Sequence, residues 1–240
     1  MWLILPLKDF VKAKQRLSGC LSISERRALF QHMVEDVLAQ LSAVDEVDQL
    51  LIVSDDPAAH LLAEHFHALC WPESQLGSGL NAVLEATLDR ISSLDKPPQH
   101  VMIVHGDLPL LNAAELRDLI EVQGGASEQV VIATDRHGGG SNVVLMPLAS
   151  RIRLRYGEGS LTAHTAEAAA RNLSLQVFHA PGLANDIDTR EDLLALVSAG
   201  TSSRAPQTMR YLSESGIARR LLQMNPRECA AVEPPRVVRS

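Results

Sequence analysis

His100-Val101-Met102-Ile103-Val104-His105-Gly106-Asp107-Leu108-Pro109-Leu110-Leu111 is the stretch whose reading decides the fold. Val101 to Val104 form a short apolar run rich in β-branched residues, as in a strand covered on both faces of a parallel sheet. The run stops at Gly106-Asp107, and Pro109 has no N–H with which to continue a ladder. Asn112, with Glu115 three residues on, predicts a capping box and a helix to about Val122. Asp107 thereby falls just past the carboxyl end of a central strand, where open α/β sheets bind their ligands. An aspartate there can serve a turn or cap, or it can hold a hard cation beside bound phosphates. The rest of the chain separates these readings.

On the amino-terminal side, Trp2 to Leu5 reads as a first strand ended by Pro6. The loop that follows carries four cations, Lys8, Lys12, Lys14 and Arg16, within nine residues. A charge run is commonly just a solvated face. Placed after a first strand, this one is a candidate triphosphate clamp built from side chains rather than from glycine amides. Ser22 and Glu25 fit a capping box for a helix to about Val44, with Phe30, Met33, Val34, Val37, Leu38 and Leu41 on its core face. Gln49 to Val53 is a second strand, after which Asp55 and Asp56 read as caps rather than ligands. His60, His65 and His67 read as helix surface, because no carboxylate or thiol stands at ligand spacing. Ala68 to Trp71 is a brief third strand. Gly77-Ser78-Gly79-Leu80-Asn81 then opens a helix, and its glycines permit close approach of backbone to a ligand.

Beyond Asp107, strands are predicted over Gln129–Ala133 and Val143–Met146. Between them lies Asp135-Arg136-His137-Gly138-Gly139-Gly140-Ser141-Asn142. Three consecutive glycines suggest backbone amides offered to an anion, with a long hairpin loop as the rival. Arg151 to Tyr156 alternates cation and apolar residue, as a half-exposed strand would. Gly157-Glu158-Gly159-Ser160 places Ser160 at the N-cap of a helix to roughly Arg171. Such a terminus is a ready anion seat, or an ordinary cap. After a strand over Leu175–Phe178, Asp186 and Asp188 flank Ile187 and project to one side, a geometry suited to metal ligation. Thr189 and Asp192 cap a last core helix that Gly200 ends.

Composition bounds the rest. Residues 1–200 suit one sizeable domain, and residues 201–240 stand apart, with seven arginines against three glutamates. One helix from Met209 to Met224 and a disordered end are expected there, in a segment dispensable for catalysis. Aromatics make up only 3%, so the core must be aliphatic. A net charge of −7 argues against nucleic acid as a partner. No apolar run suits a membrane span or signal peptide, and Cys20, Cys70 and Cys229 lack ligand spacing, as in the reduced thiols of a cytoplasmic protein.

Together, Pro6-Leu7-Lys8, Ala13-Lys14, Arg16-Leu17-Ser18, Gly79-Leu80-Asn81, Asp107 to Leu111, Gly138-Gly139 and Asp186-Ile187-Asp188-Thr189 carry a resemblance. From about Leu3 to Leu196 the chain resembles the guanylyltransferases that activate a three-carbon phosphorylated acid for biosynthesis of coenzyme F-420. That family includes 2-phospho-L-lactate, phosphoenolpyruvate and 3-phospho-D-glycerate guanylyltransferases. The resemblance implies an α/β fold, a glycosyltransferase-A-like nucleotidyltransferase three-layer sandwich with a mixed, mostly parallel sheet. It implies Mg²⁺ held by Asp107 and Asp188, with Lys8 as a further catalytic residue. Ser141, Gly157 and Ser160 would receive the acid. Lys8, Lys14, Arg16, Gly79, Leu80, Asn81 and Asp107 would bind GTP. A downstream transferase receiving an unstable product belongs to the same picture, which leaves room for a homodimer. Two departures from the family pattern stand out: His105-Gly106 replaces small residues before the aspartate, and Ser141 stands where threonine is common. Rival readings are a nucleotidyltransferase acting on a sugar phosphate or molybdopterin, a glycosyltransferase using Asp186 and Asp188, and a non-catalytic nucleotide-binding module.

Overall fold

The computed structural model describes residues 1–200 and 203–224. Among the described residues, seven strands form one sheet: β1 (Trp2–Pro6), β2 (Gln49–Val53), β3 (Leu69–Trp71), β4 (His100–Val104), β5 (Gln129–Ala133), β6 (Val143–Pro147) and β7 (Ser174–Phe178). Their order is β3-β2-β1-β4-β6-β5-β7. β1 to β4 are parallel, β6 runs antiparallel to both β4 and β5, and β7 is parallel to β5. The sheet is therefore mixed and mostly parallel, as expected.

Nine helices accompany these strands among the described residues: α1 (Ile23–Leu41), α2 (Pro57–His65), α3 (Leu80–Ser92), α4 (Ala113–Gln123), α5 (Ser160–Ala169), α6 (Pro181–Ala184), α7 (Arg190–Ser198), α8 (Pro206–Glu214) and α9 (Ile217–Gln223). Strand alternation divides the core into two faces. Leu3, Leu5, Met102 and Val104 belong to one apolar cluster with Leu29, Met33 and Val37 of α1 and Leu116 of α4. Ile4, Val101 and Ile103 belong to another with Val83, Leu84, Leu88 and Ile91 of α3. Helices thus cover both faces, which makes three layers. No described helix is long and apolar enough to cross a membrane.

Three local expectations need correction. Arg151 to Tyr156 is not a strand. Ile152 and Leu154 do point into the core, but the N–H groups of Leu154, Arg155 and Tyr156 donate to Glu85 Oε1 (2.6 Å), His164 Nε2 (2.8 Å) and Asn81 Oδ1 (2.7 Å). Alternation set the side-chain directions; side chains, not a neighbouring strand, satisfied the backbone. At α4, Asn112 accepts from Glu115 N, but the Glu115 carboxylate does not close a capping box. It accepts from Gly182 N at 3.1 Å instead, where a Cβ would come within 2.5 Å of the Leu110 carbonyl oxygen.

The third correction concerns the segment after Gly200. A single helix over Met209–Met224 is replaced by α8 and α9, which are broken at Gly216 in a left-handed turn (φ 73°). Leu212, Ile217 and Leu221 join the cluster that contains α1. Asp36 of α1 accepts from Gln207 N and Thr208 N, both at 2.9 Å, and from Thr208 Oγ1 at 2.6 Å. Arg190 of α7 donates to the carbonyls of Leu221 and Met224 at the end of α9. The segment expected to be disordered, together with Cys229, lies outside the described residues.

Candidate active site

The loop after β1 is pinned before it reaches the site. Phe10 N donates to Asp56 Oδ2 at 2.9 Å, while the other oxygen of that carboxylate caps α2 through Ala58 N. Two 3₁₀ turns follow, with Lys14 between them in the left-handed region (φ 53°). That backbone turn drives the Lys14 side chain inward until it is only 4% exposed. Its Nζ lies 2.7 Å from Asp107 Oδ2 and 2.6 Å from Asp188 Oδ1. Arg16 stays largely exposed, 3.9 Å from Asp188 Oδ2.

Electrostatics keep Lys14 and Asp107 ionised. Burial works to discharge Lys14, but Asp107 and Asp188 outweigh it and hold the ammonium above its usual value. Burial likewise pushes Asp107 up, and the charge of Lys14 more than reverses that. Ile187 N donates to the Asp107 carbonyl at 3.0 Å, tying the second acidic segment to the end of β4. Asp186 and Asp188 do not share a partner: Asp188 meets Lys14, while Asp186 lies 3.5 Å from the Asn142 amide. Burial first, then the charges of Asp107 and Asp188, raise the Asp186 pKa. Lys8, Lys14, Leu80, His105, Asp107 and Asp188 all line one pocket of about 300 Å³.

Gly106 is held to glycine by close packing. A Cβ there would come within 2.6 Å of Leu7 Cδ2 and 3.2 Å of Val34 Cγ2, so glycine lets the exit of β1 pass close to that of β4. Gly106→Ala is expected to cost about 1–3 kcal/mol through overpacking. Thermal denaturation checks this, and a parental melting temperature would show that Leu7 yields without cost.

Beside this pocket lies a second polar group. β6 begins opposite the end of β4, where His105 N donates to Asn142 O, so Ser141 is brought to the same end of the sheet. Ser141 is buried with Ser160 Oγ at 3.3 Å and His164 Nδ1 at 3.0 Å. Ser160 is not the N-cap of α5; Gly159 is, in the left-handed region (φ 70°). The amides there are partly taken, since Ser160 N donates to Gly157 O and Leu161 N to Gly139 O.

The glycine run also departs from expectation. Gly139 N and Gly140 N both donate to Asp135 Oδ1 at 2.8 Å, and Gly138 N donates to the Asp135 carbonyl. The anion those amides serve is the chain's own carboxylate. Burial opposes ionisation of Asp135, and the glycine amides overcome it. Asn81 is engaged elsewhere too: its amide donates to Tyr156 O and accepts from Tyr156 N.

The structure therefore gathers Lys8, Lys14, Leu80, Asp107 and Asp188 around one pocket, with Arg16 beside Asp188 and Gly79 at the N-cap of α3. It brings Ser141 and Ser160 into contact, with Gly157 hydrogen-bonded to Ser160. It turns Asn81 toward Tyr156. Sequence reasoning missed His105, Tyr156 and His164, whose rings form a chain with centroids 5.0 and 5.1 Å apart. For His164 a signal existed: it follows Ser160 by four residues, one turn along the same helix face.

A sheet of this order with one reversed strand, carrying an acidic strand end against a cationic loop, is that of a nucleotidyltransferase. A protein from Desulfovibrio desulfuricans G20, assigned as a nucleotide-diphospho-sugar transferase, shares the fold with a TM-score of 0.73 at 17% identity, over 93% of this chain and 98% of that one. Residues 1–224 match the family described as "Guanylyl transferase CofC like", and the chain belongs to that family. The match takes in α8 and α9 as well as the sheet. Over 224 residues the chain is 33% identical to the phosphoenolpyruvate guanylyltransferase of Conexibacter woesei, covering 93% of this chain and 97% of the relative. Identity to the 2-phospho-L-lactate guanylyltransferase of Methanothermobacter thermautotrophicus is also 33%, covering 87% of this chain and 89% of that protein.

Proposed function

We propose that the protein transfers GMP from GTP to the phosphate of a three-carbon phosphorylated acid: phosphoenolpyruvate, 2-phospho-L-lactate or 3-phospho-D-glycerate. The observation that carries this reading is the Asp107–Lys14–Asp188 cluster at the strand end, with the buried Ser141–Ser160 pair beside it. One subsite suits a nucleotide's phosphates and the other a small anion. An oxygen of the acid's phosphate attacks the α-phosphorus of GTP, a new P–O–P linkage forms, and the bond to the β-phosphate oxygen breaks. Pyrophosphate leaves with that electron pair. A phosphate oxygen is already an adequate nucleophile near neutrality, so no covalent enzyme intermediate is required. What the chain supplies is position and charge. Lys8 and Arg16 stand exposed where a triphosphate would approach, and Lys14 keeps a fixed positive charge between the two carboxylates.

The donor set suits Mg²⁺. Hard cations take oxygen ligands, and Mg²⁺ is commonly held by one or two carboxylates with substrate phosphates completing its shell. Asp107 and Asp188 already converge on a single cation, the Lys14 ammonium. Bound there, Mg²⁺ would neutralise charge developing on the phosphates. In this reading the enzyme works in the cytoplasm and hands its product to a downstream transferase of coenzyme F-420 assembly.

Pyrophosphate release from GTP, measured with each of the three acids and with a sugar phosphate, tests the reading. Release is expected with at least one acid and not with the sugar phosphate; the opposite pattern would replace the proposed acceptor. Ser160→Ala is expected to lower kcat/KM for the acid by roughly ten- to a hundredfold, through loss of a donor in a network serving an anion. The KM for GTP and the melting temperature should hardly change, because Gly159 and not Ser160 is the N-cap of α5. A lowered melting temperature with parental acid kinetics would return Ser160 to a purely structural role.

A further inference from the structure

We propose that His164 is the positioning residue of the acid subsite: it fixes the direction in which the Ser141 hydroxyl gives its proton. This rests on the acceptor reading above and extends it to a side chain that never needs to touch the acid. The geometry begins at Arg155, whose backbone N–H donates to His164 Nε2 at 2.8 Å. A ring nitrogen that accepts a hydrogen bond carries no proton, so in the neutral imidazole the proton sits on Nδ1. Nδ1–H then donates to Ser141 Oγ at 3.0 Å. Ser160 Oγ donates to the same oxygen at 3.3 Å.

A hydroxyl oxygen has two lone pairs and one proton. With both lone pairs engaged, Ser141 has only its proton left, and the structure gives that proton no acceptor among the described residues. An oxyanion is the partner such a hydroxyl fits, and the proposed acid offers two, a carboxylate and a phosphate. Were the imidazole in the other tautomer, Ser141 would spend its proton on Nδ1 and present lone pairs to an anion, which would repel it.

The surroundings hold this tautomer in place. His164 is fully buried, and burial lowers its pKa to about 4, against the opposing pull of Glu167, so the ring is neutral at physiological pH. The Tyr156 ring meets the His164 ring edge-on and also meets His105, so aromatic contacts run from the Ser141 network to a residue that lines the pocket of Asp107. Asn81 clamps the Tyr156 backbone from both sides, and that clamp also fixes the neighbouring Arg155 N–H. Asn81 thus reaches the acid subsite through the 155–156 segment, which accounts for an asparagine turned away from the nucleotide pocket.

The competing role for His164 is structural: a core acceptor for the Arg155 amide and nothing more. Two near-isosteres separate the roles. In His164→Asn the side-chain amide reaches about as far as Nδ1, so it can donate to Ser141 but not accept from Arg155. In His164→Gln the amide oxygen reaches about as far as Nε2, so it can accept from Arg155 but leaves Ser141 without its donor. Steady-state kinetics with phosphoenolpyruvate, 2-phospho-L-lactate and 3-phospho-D-glycerate, together with melting temperatures, provide the measurement on the full chain. For His164→Gln the acid KM is expected to rise about ten- to a hundredfold, with parental kcat at saturating acid, GTP KM and melting temperature. His164→Asn keeps a donor for Ser141 but loses the Arg155 bond, so it should raise the acid KM less than His164→Gln does while melting earlier. The reverse pattern, or an unchanged acid KM in both variants, overturns the positioning role while the acceptor reading stands. A parent protein that turns over none of the three acids overturns the acceptor reading, and this proposal with it.

Discussion

Asp107→Asn is expected to cut GMP transfer by about a hundred- to a thousandfold, the usual cost of deleting one preorganised electrostatic group, and to leave the fold intact. Shape is preserved: asparagine fills the same volume at the exit of β4, and the close approach of Gly106 to Leu7 does not depend on the carboxylate. Lys14 remains buried but keeps Asp188 at 2.6 Å, so no buried ammonium is left without a partner. What disappears is one of two negative charges converging on a cation. The same change should bring the Asp186 pKa back toward its ordinary range, since Asp107 is one of the charges that raise it. Two measurements on one preparation check the argument: pyrophosphate release at saturating Mg²⁺, and binding of Mn²⁺ in the presence of GTP followed by electron paramagnetic resonance. Parental activity together with parental Mn²⁺ affinity would remove Asp107 from the metal site.

The sheet was legible because its strands are short apolar runs that stop at Pro, Gly or Asp, and such punctuation acts locally. Asp107 was legible for the same reason: a strand end is a property of neighbouring residues. The partners of Asp107 were not. Lys14 lies 93 positions from Asp107 and 174 from Asp188, and nothing in local spacing says that a lysine read as a phosphate ligand spends its charge on both. Gly138 to Gly140 misled for a different reason. The amides of Gly139 and Gly140 do bind an anion, but Asp135, three residues before the first glycine, supplies it from within the same turn. Arg151 to Tyr156 shows the limit of periodicity. Alternation reports which side chains face the core, and an irregular segment braced by Glu85, Asn81 and His164 alternates just as a strand does.

Removing every residue after Gly200 is expected to leave a chain that does not fold stably, against the dispensability that its composition suggested. The segment read as basic and polar places Leu212, Ile217 and Leu221 at 0–1% exposure against the core. Burying an aliphatic side chain of this size is worth about 1.5–3 kcal/mol, so three of them approach the whole stability of an ordinary domain, about 5–15 kcal/mol. The deletion also strips Asp36 of all three donors from Gln207 and Thr208 while leaving its carboxylate on α1. α1 is the helix that covers β1 and β4, and Phe30 on it lines the pocket with Lys14 and Asp107. Loosening α1 therefore disturbs the site even where some structure survives. Asp36→Ala, which takes away the acceptor of the Gln207 and Thr208 donors, weakens the docking of α8 without deleting it and should destabilise less than the truncation. Circular dichroism melting and soluble yield compare the three proteins. A truncated chain that melts at the parental temperature and retains turnover would make α8 and α9 an ornament on a self-sufficient domain.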